Sequence, residues 1–270
     1  MSAIFRRSDV VGALRTFMEH AHPLLRPEDL MVLEGLRSKG EAWIVGGWVR
    51  EFISGRKGTD VDIATTLHPN EVKTIFPRSL MVGAKYGTVH VRLNEEAGSN
   101  DIWEVTTLRS EGSYGDGRRP DNVEFGENIE EDLSRRDFTI NSMALEHPYG
   151  ADCLIDPFGG SEDLLRGLLT SVGDPRERIS EDGLRILRAF RFMDGGDNGV
   201  REMDEGLYDA ISSNLGMLEM VSKERICSEL SIILTGDWAD EIVTEMEKMG
   251  VLESISGPLL EKSGCSLGND

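Results

Sequence analysis

The residues best suited to chemistry run Gly46-Gly47-Trp48-Val49-Arg50 and resume at Asp60-Val61-Asp62. Ile44-Val45 leads into the double glycine, so a strand should end in a turn whose bare backbone can approach phosphate oxygens. Residues 48–53 suit a helix, whose first amides would lie beside that turn. Asp60 and Asp62, at i and i+2 of a strand, would face one side. Adjacent carboxylates repel, and a divalent cation is the usual partner that makes the pairing tolerable. Alone, Gly-Gly is an ordinary turn and Asp-x-Asp an ordinary strand end. Together, with Arg50 between them, they point to a phosphate cradle beside a metal, and so to nucleotide chemistry.

Two further strings carry the same theme. Arg135-Arg136-Asp137 leads into Phe138-Thr139-Ile140-Asn141, read as an apolar strand holding the polar residues on a rigid element. Arginine binds phosphate bidentately, and aspartate and asparagine can hydrogen-bond ribose hydroxyls. A surface ion pair is the plainer account of Arg-Arg-Asp. Farther on, Asp182, Arg185, Arg188 and Arg191 recur every third residue, which makes one ridge of a helix. Leu184, Leu187, Phe190 and Phe192 would anchor its other side. Such a ridge is either a salt-bridged solvated stripe or a set of donors and acceptors aimed at a base. Glu104 alternates with Ile102 and Thr106 on one strand face. It reads as a third metal ligand, as the group orienting an attacking hydroxyl, or as a solvent-facing glutamate.

The elements that must position these groups follow from periodicity. Residues 8–22 and 27–38 have helical apolar spacing, and His68-Pro69-Asn70 reads as a helix start. Residues 86–91 and 102–106 are β-branched and alternating, hence strands. Residues 109–127 are rich in Gly, Pro, Asp and Arg and read as a long loop. Beyond Gly160 strand signals fade and helices dominate. The expected fold class is therefore α+β, a mixed head over 1–155 followed by a helical part over 156–270.

Composition bounds the rest. The 270 residues allow one large domain or two modest ones. No apolar run suggests a membrane span, and the start lacks a secretory signal, so a cytoplasmic protein is expected. Cys153, Cys227 and Cys265 fit neither a disulfide framework nor a zinc site. The net charge of −20 is uneven: residues 1–100 hold 13 basic and 12 acidic side chains, residues 201–270 hold 5 and 15. Nucleic-acid binders normally carry a basic footprint, so RNA contact should be local and weak.

The Gly-Gly and Asp-x-Asp pair resembles the opening motif of the polymerase-beta nucleotidyltransferase superfamily. Val-Arg after Gly-Gly-x, the Arg135–Asn141 string and Glu181-Asp182-Gly183-Leu184-Arg185 resemble the class II CCA-adding enzymes and bacterial poly(A) polymerases. The likeness runs from about residue 42 to about residue 235. It includes Tyr86-Gly87-Thr88-Val89, Asp156-Pro157-Phe158-Gly159-Gly160 as a hinge, and Ser222-Lys223-Glu224-Arg225-Ile226 with Glu229 bracing the neck. Glu51 stands where that family usually has aspartate, and the body and tail domains usual in that family are expected to be absent.

The resemblance implies a polymerase-beta-like head, a helical neck and two-metal transfer with Mg²⁺ held by Asp60 and Asp62. Gly46, Gly47, Arg50 and Arg135 or Arg136 would hold the triphosphate, and Asp137 and Asn141 the ribose. Asp182 and Arg185 would read the base, with Arg188 and Arg191 in support or on phosphate. Substrates would be CTP, ATP and a tRNA 3′ end, with a partner chain or oligomer standing in for the absent body. The 109–127 loop would serve the switch from adding C to adding A. Poly(A) addition, partial CC or A addition, a non-catalytic nucleotide-binding protein and a phosphohydrolase are the competing readings.

Overall fold

The computed structural model describes residues 25–56, 58, 60–93, 102–109, 125–146 and 153–260, with the side chains of 257–260 excepted. The expected helix over 8–22, loop residues 110–124 and Cys265 lie outside the described residues. The chain divides into two compact units, Met1–Arg166 and Gly167–Asp270.

In the first unit, strands β1 (Ala42–Val45), β2 (Asp62–Thr65), β3 (Thr88–Val91), β4 (Trp103–Thr107), β5 (Ala144–Leu145) and β6 (Leu154–Ile155) form one mixed sheet in the order β3-β4-β2-β1-β5-β6. Only β2 and β4 pair in parallel. Helices α1 (Pro27–Arg37), α2 (Gly47–Ile53) and α3 (Pro69–Ile75) bury apolar side chains with one face of this sheet. Val32, Leu36, Trp48, Val49 and Val72 there meet Ile44, Ile63, Val89, Val91 and Val105. On the opposite face, α4 (Ile129–Ser134) brings Ile129 and Leu133 against Trp43, Val45, Ala64 and Ala144. Alternation along each strand thus feeds two cores. Asp62 belongs to the α4 side, because Val61 and Ile63 are committed to the other.

Helix α5 (Gly160–Arg166) closes the first unit. Leu164 packs on the main core and Asp163 accepts from the Thr139 hydroxyl at 2.6 Å. These contacts carry the unit to Arg166, beyond the boundary expected near 155.

The second unit holds a short parallel pair, β7 (Leu168–Leu169) and β8 (Glu202–Met203). Around it lie helices α6 (Pro175–Glu181), α7 (Leu184–Met193), α8 (Glu205–Ser213), α9 (Lys223–Leu234), α10 (Ala239–Lys248) and α11 (Val251–Leu260). Ile186, Leu187, Ala189 and Phe190 of α7 are fully buried, so α7 is the central helix of this unit. No helix among the described residues is long and apolar enough to cross a membrane. Among the described residues neither Cys153 nor Cys227 forms a disulfide.

Candidate active site

Strand β1 ends at Val45, opposite Asp62 in register, and the chain turns at Gly46 with φ of 75°. Only glycine adopts that backbone readily. A Cβ at Gly46 would also lie 3.0 Å from the Asp62 Oδ2 and 3.8 Å from the Arg136 Nη1. The bare backbone therefore sits between a carboxylate and a guanidinium. At Gly47 an added Cβ would meet only the Arg50 Nη2, at 3.6 Å.

Asp62 opens β2, and Asp60 lies exposed in the segment before it. The two do not share a strand, whereas the spacing predicts that they would. β1 turns away at Gly46, so its ladder with β2 ends at the Val45–Asp62 pair. Their charges still meet. The Asp62 carboxyl is pushed up to about 6 by burial first, then by Glu104 and Asp60, with Arg136 pulling the other way. Glu104 is exposed on β4, next to Asp62 because Ile63 pairs with Val105. Among the described residues no group of three His, Cys, Asp or Glu side chains is drawn close enough to hold a metal ion. Asp60 and Asp62 remain as a pair of hard oxygen donors. That set fits a small divalent cation which takes its other ligands from water and phosphate.

The second string forms no strand. Thr139–Asn141 is a 3₁₀ turn, tied by Asn141 N–H to the Phe138 carbonyl and Ser142 N–H to the Thr139 carbonyl. The turn folds Asn141 back so that its Nδ2 donates to the Asp137 Oδ1 at 3.0 Å. The Asn141 Oδ1 accepts from Arg50 at 2.6 Å. Arg50 also donates to the Glu51 Oε1 through Nε and Nη2, and the other Glu51 oxygen pairs with Arg56 at 2.6 Å. A polar chain thus runs Arg56–Glu51–Arg50–Asn141–Asp137. Burial pulls the Arg50 guanidinium below its ordinary range, and Glu51 counters that pull. The longer Glu51 carboxylate reaches both arginines. Arg136 donates to the Asn141 carbonyl at 3.2 Å and pairs with Asp132, four residues earlier, at 3.4 Å. Arg135 caps the end of α4.

In the second unit Asp182 is not on the arginine ridge. It ends α6 in extended conformation, and its Oδ1 accepts from the Leu184 N–H at the start of α7. A Cβ at Gly183 would fall 2.3 Å from the Met217 carbonyl, so the residue between the two helices must be glycine. The Asp182 Oδ2 pairs with Arg225 of α9 at 2.6 Å. Arg185 pairs with Glu181 at 2.5 Å and donates to the Arg178 carbonyl. Arg178 also grips Glu181. Arg191 and Arg188 lie 3.1 and 3.8 Å from Glu229, which is 7% exposed on α9, and both stack on Phe192. Leu184, Leu187, Phe190 and Phe192 are buried as their spacing predicts.

Residues 42–170 match the family described as the poly(A) polymerase head domain. The chain is 40% identical over 223 residues to the CCA-adding enzyme of Geobacillus sp. (strain WCH70), covering 82% of this chain and 52% of that protein. It is 41% identical over 218 residues to that of Lactococcus lactis subsp. cremoris (strain MG1363), covering 80% and 52%. A crystal structure of Bacillus stearothermophilus CCA-adding enzyme in complex with CTP superposes with a TM-score of 0.72 and 35% identity, over 84% of this chain and 53% of that one. Thermotoga maritima CCA-adding enzyme complexed with tRNA_CCA gives 0.66 and 26%, over 91% and 55%. Residues 42–170 belong to the poly(A) polymerase head-domain family. The chain spans about half the length of the curated relatives it matches.

Nucleotidyltransferases of this family use a divalent metal. In the first unit the structure gathers Gly46, Asp62, Arg136 and Glu104, and it links Arg50, Asp137 and Asn141 into one network. The partners Arg56, Asp132 and Glu181 escaped the sequence reading. Two of them had a signal, since Asp132 precedes Arg136, and Glu181 precedes Arg185, by one helical turn.

Proposed function

We propose that this class II nucleotidyltransferase adds C and A to tRNA 3′ ends from CTP and ATP, without a nucleic-acid template, in the cytoplasm. The observation that carries the reading is the close approach of the Gly46 backbone, the Asp62 carboxylate and the Arg136 guanidinium. The names of relatives seen with CTP and with tRNA support the choice of substrates.

In this reading Mg²⁺ on Asp60 and Asp62 supplies charge for the α-phosphate and a more acidic hydroxyl. Gly46 and Gly47 leave backbone N–H groups clear for the triphosphate. Arg136, and Arg50 held by Glu51 and Asn141, offer it guanidinium donors, and Arg135 flanks them. Asp137 and Asn141 serve the ribose from within the network that fixes Arg50. The RNA 3′ oxygen bonds to the α-phosphorus, the bond to the bridging oxygen breaks, and pyrophosphate leaves with the electron pair. The hydroxyl proton passes to a neighbouring carboxylate, Glu104 being the nearest candidate beside the pair. Asp182 and Arg185 read the base, preset by Arg225 and Glu181, and Arg188 and Arg191 support them from Glu229.

The test is to incubate the purified chain with Mg²⁺, each labelled nucleoside triphosphate and tRNA lacking its 3′ end. Stepwise incorporation of C then A is the expected result. Runs of A alone indicate poly(A) addition, C alone a CC-adding enzyme, and no incorporation a binding protein or a requirement for a partner chain.

A further inference from the structure

The second unit holds a groove of about 610 Å³ that nucleotidyl transfer does not use. Its floor is apolar: Met193 ends α7, Val200 leads into β8, and Met203 belongs to β8. Tyr208 of α8 forms one wall and is 41% exposed, a large ring left open to water. Helix α10 forms the other. Its Ile242 and Met246 are buried in the unit, so Asp240, Glu241 and Glu245 lie on the opposite face, along the groove.

The rim is acidic, and the two basic side chains beside it are already committed. Arg201, 4% exposed, donates through Nη1 to the Phe192 and Asp194 carbonyls at 2.7 and 2.8 Å. Lys248 pairs with Glu245 at 2.9 Å. That leaves Glu202 of β8 and Asp240 and Glu241 of α10 on the groove without a basic partner among the described residues. The Glu241 carboxyl is raised, first by its hydrogen bond with Asp240, which the same bond lowers. A cation relieves a carboxyl pair crowded in this way. Solvation alone could satisfy these acids, and Asp240 and Glu241 also suit the helix dipole in the first turn of α10. Neither account needs the apolar floor beneath them.

We propose that this groove binds an aliphatic polyamine. The inference goes beyond nucleotidyl transfer and stands without it. The methylene segments lie on Met193, Val200 and Met203, as the stems of long cationic side chains lie on apolar surface. One ammonium group sits over the Tyr208 ring, and others meet the Asp240–Glu241 pair and Glu202. A bare metal ion would leave the floor unused, and the rim repels an anion. An organic cation is the class that uses both, and the volume suits a small organic ligand. In a chain of net charge −20, a bound polycation also reduces self-repulsion.

Spermidine titrated into the full chain at constant ionic strength tests it, by calorimetry and by Tm. The wild-type protein should bind it one to one and gain about 3 °C or more in Tm at saturation. A combined Glu202→Gln, Asp240→Asn and Glu241→Gln variant should lose about tenfold or more in affinity, and Tyr208→Ala about fivefold. All four side chains are exposed, so the fold should survive, which circular dichroism checks. A control carrying Glu219→Gln, Glu247→Gln and Glu253→Gln removes as much charge from exposed positions off the groove. Its affinity should stay within about twofold of wild type. No binding, an equal loss in the control, or unchanged affinity in either groove variant overturns the proposal. Displacement of spermidine by Mg²⁺ at matched charge also overturns it, since that would reveal only a diffuse anionic surface.

Discussion

The two units treat charge in opposite ways. In the first, the charges of Glu104 and Asp60 add to burial in pushing Asp62 up to about 6. In the second, the arginines of α7 each meet a carboxylate, Glu181 or Glu229, and Asp182 meets Arg225. The first arrangement gains from an added cation, whereas the second is internally balanced and holds its side chains in set directions. Chemistry needs a site that a ligand completes, and recognition needs donors that hold still before the ligand arrives.

The largest test of this contrast is to remove a carboxylate from the first unit. Asp62→Ala or Asp60→Ala should lower turnover by about a thousandfold or more while the protein stays folded, because metal-held charge stabilisation is worth several kcal/mol. Near wild-type turnover with Mg²⁺ in either variant would mean that the pair is not the metal site.

Next comes Arg185→Ala in the second unit. Leaving a recognition group unpaired costs about 1–3 kcal/mol, so selectivity among CTP, ATP, UTP and GTP should fall by roughly ten- to a hundredfold. kcat/KM measured for the four nucleotides decides, and unchanged ratios would return α7 to a merely salt-bridged ridge. Glu229→Gln should cost about 1–3 kcal/mol of unfolding free energy, since Arg188 and Arg191 lose the charge they share. Urea unfolding with no change in midpoint would show that the brace is idle.

The smallest effect sharpens the contrast through pH. The folded-state pKa of Asp62 lies above its ordinary 3.8, so the folded protein holds a proton that the unfolded chain has released. Metal-free stability should therefore fall as pH rises from about 4 to about 6, and the penalty should stay in force above that. Asp62→Asn removes it. After allowance for solvent screening of a partly buried group, the gain is about 1 kcal/mol, or a few degrees in Tm, at pH 7.5 and absent at pH 3.5. Equal Tm values for the two proteins at both pH values would contradict the crowding of charge inferred around Asp62.

Much of this was legible in the residues. Alternation along 102–106 set Glu104 on the polar face and Trp103 and Val105 in the core, because a two-residue period needs no long-range information. Apolar spacing in 184–192 likewise settled that α7 is anchored. The double glycine announced the turn at Gly46, and the same local rules gave the helix after it. The strings around Arg136 and Arg185 were enough to identify the family.

Tertiary structure decided the rest, for reasons of pairing and reach. Asp60 falls outside β2 because β1 turns away at Gly46, a fact about a neighbouring strand. Thr139–Asn141 forms a 3₁₀ turn where the apolar run suggested a strand, since a buried Asp–Asn–Arg network outweighs local β preference. Asp182 leaves the arginine ridge because it is extended between the two helices, where it accepts from the Leu184 N–H and pairs with Arg225. Partners distant in sequence, Arg50 with Asn141 and Arg191 with Glu229, leave no periodic trace, because nothing local links residues that only the folded chain brings within hydrogen-bond distance.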